Sequence, residues 1–557
     1  MIAGETETSA RPARGLGAIL MVAVVALAAV VPILVLGFPD GHDIDYHLSC
    51  WLDAAPQWRQ GIIWPAWAQG ANYGFGEPRF LFYPPLSRVM GVLSLLLLPA
   101  EGVAAGYIFI VLGIAGACMF ALVRGWLPPA HATLAAAFYA VSPYLLLTAY
   151  QRNALAELLA QALFPLLLLF AFRLERGTQT IAPLAAAFAL IWLSDLPAAV
   201  VASYALAFTV ALLAVFRRSW GVAWRGAAAI GLGFGLAAFF VLPAAYEQRW
   251  VNIAAAIGED FRPENWQYTW RFDPEAEWFY VVLSTLVFSH IALAAIAGLG
   301  TRPWRHNCPT AWQVLLCLAG LSSFMMLPAI SGPVWTHLPR LEFVEFPWRW
   351  LMVLSTCLAL FVAAVLARRR ARWLALVLLL LALAGGIVSG GPTHWRRQLL
   401  PGLEKDIREA GGYEGGSQFM PPTADPDLFY RNREMPLAVP GKAATAVQVL
   451  RWGPERKSLE TEAPSPDRVT LHLLSYPAWL AKVDGRPAAL SADEMGRTVV
   501  SVPEGVHRVE IAFTLTPDRR VGMLVSLAAV LVLGTLAERK SEPRLSPARQ
   551  RATSQMG

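Results

Sequence analysis

The stretch Pro39-Asp40-Gly41-His42-Asp43-Ile44-Asp45-Tyr46-His47 gathers three carboxylates and two imidazoles directly after a long apolar run. Carboxylates at that density suit two tasks. They can hold a hard cation such as Mg²⁺ or Mn²⁺, with Glu157 as a third ligand beside Asp43 and Asp45, or take a proton from an attacking hydroxyl. The alternative is a solvated helix exit with capping aspartates. A second cluster, Tyr150 to Glu157, brings Arg152 and Glu157 to a chain turn, and a third, Leu341 to Trp350, ends with Arg349. A guanidinium can neutralise a phosphate, and equally an Arg can snorkel to lipid headgroups while a Glu favours a helix N-terminus. Asp195 lies within apolar sequence, where an unpaired carboxylate costs about 2.5 to 3.5 kcal/mol, so it must face protein or water. Trp64, Trp67 and Tyr83 sit in proline-rich aromatic segments that either stack on a sugar ring or form an interfacial belt. The nine histidines show no zinc spacing.

These groups need a scaffold, and composition says what kind. Of 557 residues, 56% are hydrophobic and 15% charged, which excludes a soluble fold for much of the chain. The net charge of +6 comes from short basic clusters between apolar runs, which set membrane orientation and do not indicate nucleic acid. Candidate spans are 16–37, 103–123, 131–150, 157–173, 181–194, 197–216, 225–246, 278–299, 311–330, 350–367, 373–390 and 521–537, about twelve in all. The first follows Arg11 and Arg14 like a signal peptide but lacks a small-residue cleavage site, and is read as a retained helix. The break at Ser194-Asp195-Leu196-Pro197 predicts a helix pair meeting near a polar cavity.

If 86–99 lies in the interface, Arg124, Arg173, Arg176, Arg217, Arg218, Arg225, Arg302, Arg305, Arg368 to Arg372, Arg539 and Lys540 all fall on the cytoplasmic side. If 86–99 spans, Arg124, Arg173 and Arg176 move outside, so the interfacial assignment is preferred. Both termini are then cytoplasmic, with 1–15 and 539–557 as polar ends. The outer face receives the loop 39–102, 151–156, the Asp195 break, 247–277, 331–349 and the stretch 391–519. That last stretch alternates in the manner of strands at Arg468 to Tyr476, Trp479 to Val483, Thr498 to Val502 and Val506 to Thr514, with turns at Asp484-Gly485 and Glu504-Gly505. An antiparallel β-sandwich follows. The five cysteines, Cys50, Cys118, Cys308, Cys317 and Cys357, all lie outside it, so disulfides cannot stabilise it.

Gly41-His42-Asp43 with His47, Gly61 to Trp67, Phe82-Tyr83-Pro84-Pro85-Leu86, Arg152 with Ala156-Glu157, and Phe346-Pro347-Trp348-Arg349 together resemble the GT-C superfamily of membrane glycosyltransferases. The likeness is greatest to the bacterial membrane proteins labelled pyruvoyl-tetrahydropterin-synthase-related. Tyr476-Pro477-Ala478-Trp479 with Val483-Asp484-Gly485 is similar to the exported domain of YfhO-like proteins. The resemblance implies a GT-C-like domain over 16–390, an extracytoplasmic β-rich domain over 391–519 and a final helix over 520–538, in the bacterial cytoplasmic membrane. It implies transfer of a sugar from a polyprenyl-phosphate donor to a glycan or lipid acceptor. Asp43 would be the active-site carboxylate that accepts the acceptor proton or orients the nucleophile, with Asp45 and Glu157 assisting, Arg152 and Arg349 holding phosphate, and His42, His47, Trp64, Tyr83 and Asp195 lining the cavity. The β-domain would hold the acceptor glycan or cover that cavity. Two positions depart from the pattern: Asn153 stands where Gly is expected, and Asp195 where His is common. A lipid or polysaccharide flippase and a non-catalytic glycan-assembly protein are the competing readings. The pterin label carries no chemistry here, because such an enzyme needs a compact histidine cluster.

Overall fold

The computed structural model describes residues 11–269, 277–301, 309–368, 395–422 and 424–538. The apolar runs fold as helices because a backbone in lipid must satisfy its hydrogen bonds internally. Among the described residues, nine helices are long and apolar enough to cross a membrane, or ten if a bent pair counts as one span. The expected dozen is reduced for identifiable reasons. Residues 181–194 yield only the 12-residue helix Ile181–Trp192, about 18 Å long against a hydrocarbon core of about 30 Å. Residues 311–330 break into Pro309–Met325 and Pro328–His337, bent by 94°. Pro328 pushes the preceding Leu327 out of the helical region, to φ −112° and ψ 80°. The span 373–390 lies outside the described residues, as do Arg302, Arg305, Arg369 to Arg372, Arg539 and Lys540.

Segment 86–99 folds as the 13-residue helix Pro85–Leu97, also too short to cross alone. It packs on the helix Ile44–Arg59, where Gly91 leaves room for the Trp51 indole to lie against its backbone. In the bundle, Val103–Val123 contacts Arg11–Leu36, Pro129–Ala140 and Leu155–Ala171, while Leu351–Arg368 contacts Trp278–Gly300 and Pro309–Met325.

Toward the C-terminus two antiparallel sheets form. One has the order β3 (Ala438–Pro440), β6 (Asp467–Leu474), β10 (Arg497–Val502), β9 (Leu490–Ala492). The other runs β4 (Ala446–Trp452), β5 (Arg456–Ala463), β11 (Gly505–Phe513), β7 (Trp479–Val483), β8 (Arg486–Ala488). Leu459, Val509 and Ile511 from one sheet share a core with Val469, Leu471 and Val500 from the other, so the sheets face each other as a sandwich. The β7–β8 hairpin closes on Asp484-Gly485, both at positive φ (48° and 78°), as a two-residue type I′ turn demands. Trp67, Phe75 and Phe82 from the first loop enter this core, and the Trp67 ring lies 5.2 Å from Trp479. A short pairing of β1 (Phe38–Pro39) with β2 (Trp395–Arg396) ties the exit of the first helix to the start of the C-terminal part.

A buried carboxylate joins the sandwich to the bundle. Glu247, at the end of the helix Trp220–Glu247, accepts from Arg519 Nε at 2.7 Å and Nη2 at 2.9 Å, from Thr516 Oγ1 at 3.0 Å and from the Tyr476 hydroxyl. Glu247→Ala leaves Arg519 as a buried charge without its partner and should lower stability by about 3 to 5 kcal/mol, seen as a large drop in melting temperature of the detergent-solubilised protein.

Candidate functional site

The site is assembled by a backbone docking. His42 N–H donates to the Gln151 carbonyl at 3.2 Å and Asp43 N–H to the Arg152 carbonyl at 2.9 Å, so the first loop lies directly on the second. Gly41 permits this approach, because a side chain there would collide with Gln151 and Asn153. Asn153 itself sits at φ 50° and ψ 31°. The position therefore requires the left-handed conformation that glycine supplies elsewhere, and asparagine is one of the few other residues to tolerate it. Its Nδ2 donates to the Ala149 carbonyl at 2.6 Å.

This turn aims Arg152 at Glu157, in the first turn of the helix Leu155–Ala171. Arg349 reaches the same carboxylate oxygen through Nε at 3.1 Å, and the Tyr144 hydroxyl and Gln161 Nε2 (3.1 Å) occupy the other oxygen. All three charged side chains are nearly inaccessible, at 6% for Arg152, 3% for Glu157 and 8% for Arg349. Arg349 Nη1 also bonds Glu345 Oε2 at 2.8 Å and the Val344 carbonyl at 2.6 Å. Its Nη2 makes no hydrogen bond among the described residues. Glu345 adopts φ 61° and ψ −51°, a strained three-residue turn that directs its carboxylate back onto Arg349. The Phe346 ring lies under both guanidiniums, 5.9 Å from Arg152 and 5.2 Å from Arg349.

Asp43 stands at the edge of this cluster, 3.8 Å from Arg152 Nη2 and 42% exposed, the accessible carboxylate of the group. Asp195 caps the helix Leu196–Phe216 by accepting from Ala198 N–H at 2.9 Å, within electrostatic reach of Arg349, Glu157 and Arg152. The helices holding Glu157 and Asp195 and the one that follows Arg349 all begin here, so three positive helix ends converge on one spot. His42 is adjacent, its ring 4.6 Å from Phe279.

Other expected residues lie elsewhere. Asp45 turns away to Arg396 at 2.7 Å, which also holds Asp40 at 2.8 Å. Trp64 packs on Phe239 at 5.3 Å and under Arg88, away from Asp43. Tyr83 and His47 are buried struts: His47 Nε2 accepts from Leu155 N–H at 3.1 Å and its Nδ1 bonds the Tyr83 hydroxyl at 2.5 Å. With Glu157 engaged on both oxygens and Asp45 on another partner, the three carboxylates do not fit together as ligands for Mg²⁺ or Mn²⁺. Among the described residues no group of three or more His, Cys, Asp and Glu side chains could hold a metal ion. Sequence reasoning assigned no role to Tyr144, Gln161 or Glu345, although Gln161 stands four residues from Glu157 on one helix, the spacing that puts helical side chains on one face, whereas Glu345 meets Arg349 through a non-helical turn that spacing does not reveal.

No curated protein matches this chain in sequence. A family model for the 6-pyruvoyl-tetrahydropterin synthase related domain, a membrane protein family, matches residues 80–396, and the chain belongs to that family. Among solved structures, the chain is similar to the arabinofuranosyltransferase AftD from Mycobacteria, at 18% identity and a TM-score of 0.43, over 71% of this chain and 27% of that one. This chain thus spans about a quarter of the AftD chain. It is also similar to ArnT from Cupriavidus metallidurans bound to undecaprenyl phosphate, at 13% identity and a TM-score of 0.32, over 87% of this chain and 98% of that one.

The two acceptor and donor contacts of His47 describe a neutral ring, and burial lowers its pKa to about 4. The unfolded chain takes up this proton near the ordinary value of about 6.5 while the folded protein refuses it. Stability should therefore fall as pH drops from about 6.5 toward about 4, by up to about 3 kcal/mol. Melting temperatures across that window should show a shallower slope in His47→Gln than in wild type.

Proposed function

We propose that this protein transfers a sugar from a polyprenyl-phosphate donor to a cell-envelope glycan or lipid acceptor, at the outer face of a bacterial cytoplasmic membrane. The observation that carries this reading is the convergence of one accessible carboxylate, Asp43, with two buried guanidiniums at a common meeting point of three helix N-termini. Those helix ends and the two cations favour a phosphate there, even beside resident carboxylates.

In the reaction, an acceptor hydroxyl attacks the anomeric carbon and passes its proton to Asp43. The bond from that carbon to the phosphate oxygen breaks, and its electron pair leaves with the phosphate. Arg152 and Arg349 stabilise the charge that builds there. Glu157 is a positioning residue, since both its oxygens are engaged in holding the arginines. A flippase would be expected to carry ionisable groups at several depths along its helices. Here Arg152, Glu157, Asp195 and Arg349 stand at helix ends.

Asp43→Asn should lower kcat by about 10² to 10⁴ in proteoliposomes supplied with prenyl-linked sugar, with KM for the donor and melting temperature close to wild type. Undiminished transfer by Asp43→Asn would sink the mechanism, and delivery of intact lipid-linked sugar across the bilayer would favour the flippase.

A further inference from the structure

A hollow lies away from this cluster, at the seam between the helix Ile44–Arg59, the loop that follows it and the sandwich. Its volume is about 510 Å³, within the range of about 300 to 1,000 Å³ typical of small-molecule sites. Tyr73, Tyr413 and Trp452 supply aromatic walls, and Gln60, Gln69 and Arg433 supply polar ones. We propose that this hollow is a carbohydrate-binding subsite, receiving sugar units of a glycan.

The chemistry of the walls selects that class. The one carboxylate in the lining, Asp53, is spent on the scaffold: Oδ2 accepts from Gly70 N–H at 2.8 Å and the Tyr413 hydroxyl at 2.9 Å, and Oδ1 from Gln57 Nε2 at 3.1 Å and Gln69 N–H at 3.2 Å. No free acid remains to recruit a cation. The side-chain amides of Gln60 and Gln69 have no hydrogen-bond partner among the described residues, so each offers two donors and an acceptor to hydroxyl groups. Arg433 lies over the Tyr430 ring at 4.3 Å, donates from Nη1 to the Tyr430 carbonyl at 3.1 Å and stands 3.7 Å from Glu434, and at 31% exposed it keeps further N–H groups for ring or exocyclic oxygens. Aromatic faces with amides suit a ligand whose two sides differ, apolar C–H on one face and hydroxyls at the edge.

The aromatic platform is preset. Tyr73 sits at φ 56° beside Asn72 at φ 51°, a conformation costing about 1 to 3 kcal/mol per residue. It is held by Tyr73 N–H donating to the Tyr413 carbonyl at 3.1 Å and His472 Nε2 donating to the Tyr73 carbonyl at 3.0 Å. The ring stands edge-on to Tyr430 at 5.2 Å. The helix Ile44–Arg59 links the two sites, with Asp43 at its N-terminus and Asp53 and Gln60 toward its other end. Its rise separates them by about 20 Å, so a chain of several sugars seated in the hollow could present an end at Asp43. That acceptor role rests on the transferase reading, but binding does not.

Full-length detergent-solubilised protein, fluorescently labelled, should be applied to an array of defined bacterial envelope glycans. Wild type and Asp43→Asn should bind the same glycan. Trp452→Ala and Gln60→Ala should bind it about ten-fold more weakly, and Trp452→Phe, which keeps a ring, should retain most of the binding. In transfer assays the Gln60→Ala variant should raise KM for the glycan acceptor and leave kcat near wild type. Binding to no glycan, binding unchanged in both Trp452→Ala and Gln60→Ala, or binding only to phosphorylated lipid headgroups overturns the proposal. Glycan binding by wild type without any sugar transfer, or transfer undiminished in Asp43→Asn, would count against the catalytic reading alone.

Discussion

Glu157 is a carboxylate almost sealed from solvent, and such a charge persists only if paired and fully hydrogen-bonded. Two guanidiniums from distant parts of the chain, a tyrosine hydroxyl and a glutamine amide meet that requirement. The constraint propagates outward. Arg152 meets Glu157 across the left-handed turn at Asn153, and the residues leading into that turn provide the carbonyls on which the backbone of His42 and Asp43 docks. Arg349 reaches it from just beyond the tight turn at Glu345, whose carboxylate holds the same guanidinium. One buried charge thereby fixes three loops relative to one another, and the exposed Asp43 inherits its position from them.

Such an arrangement separates duties among acids that look alike in the sequence. Asp43, Asp45 and Glu157 all belong to polar islands at the ends of apolar runs, yet one is open to solvent, one is paired with Arg396, and one is enclosed by cations. An accessible base beside preoriented donors is what group transfer asks of a site, because the donors need not reorganise as charge develops.

The membrane-crossing helices were legible because length and apolarity decide them, and four strands were legible because their inward residues alternate. Strands β4 and β5 were not, since Arg456 to Ala463 carries charge on alternate positions and buries Lys457 and Thr461 among its inward residues. The 94° bend at Pro328 required knowing that proline would win over a continuous apolar run. Within the site, the departure at Asn153 resolves once the backbone angle is known, because asparagine and glycine share that conformation. Pairings such as Asp45 with Arg396 join residues 351 positions apart, and local pattern holds no trace of them.

The insertion of Trp67 into the sandwich core and the pairing of Phe38 with Arg396 have a consequence for biogenesis. The loop that carries Asp43 docks at its start on residues 151 and 152, which follow soon after it, yet its middle, around Trp67, is covered by strands made several hundred residues later. During synthesis Trp67, Phe75 and Phe82 must therefore wait, uncovered, until those strands emerge and close over them. A chain halted before those strands would leave large aromatic side chains of its first loop open to solvent, bare surface on which unfinished molecules would stick to one another.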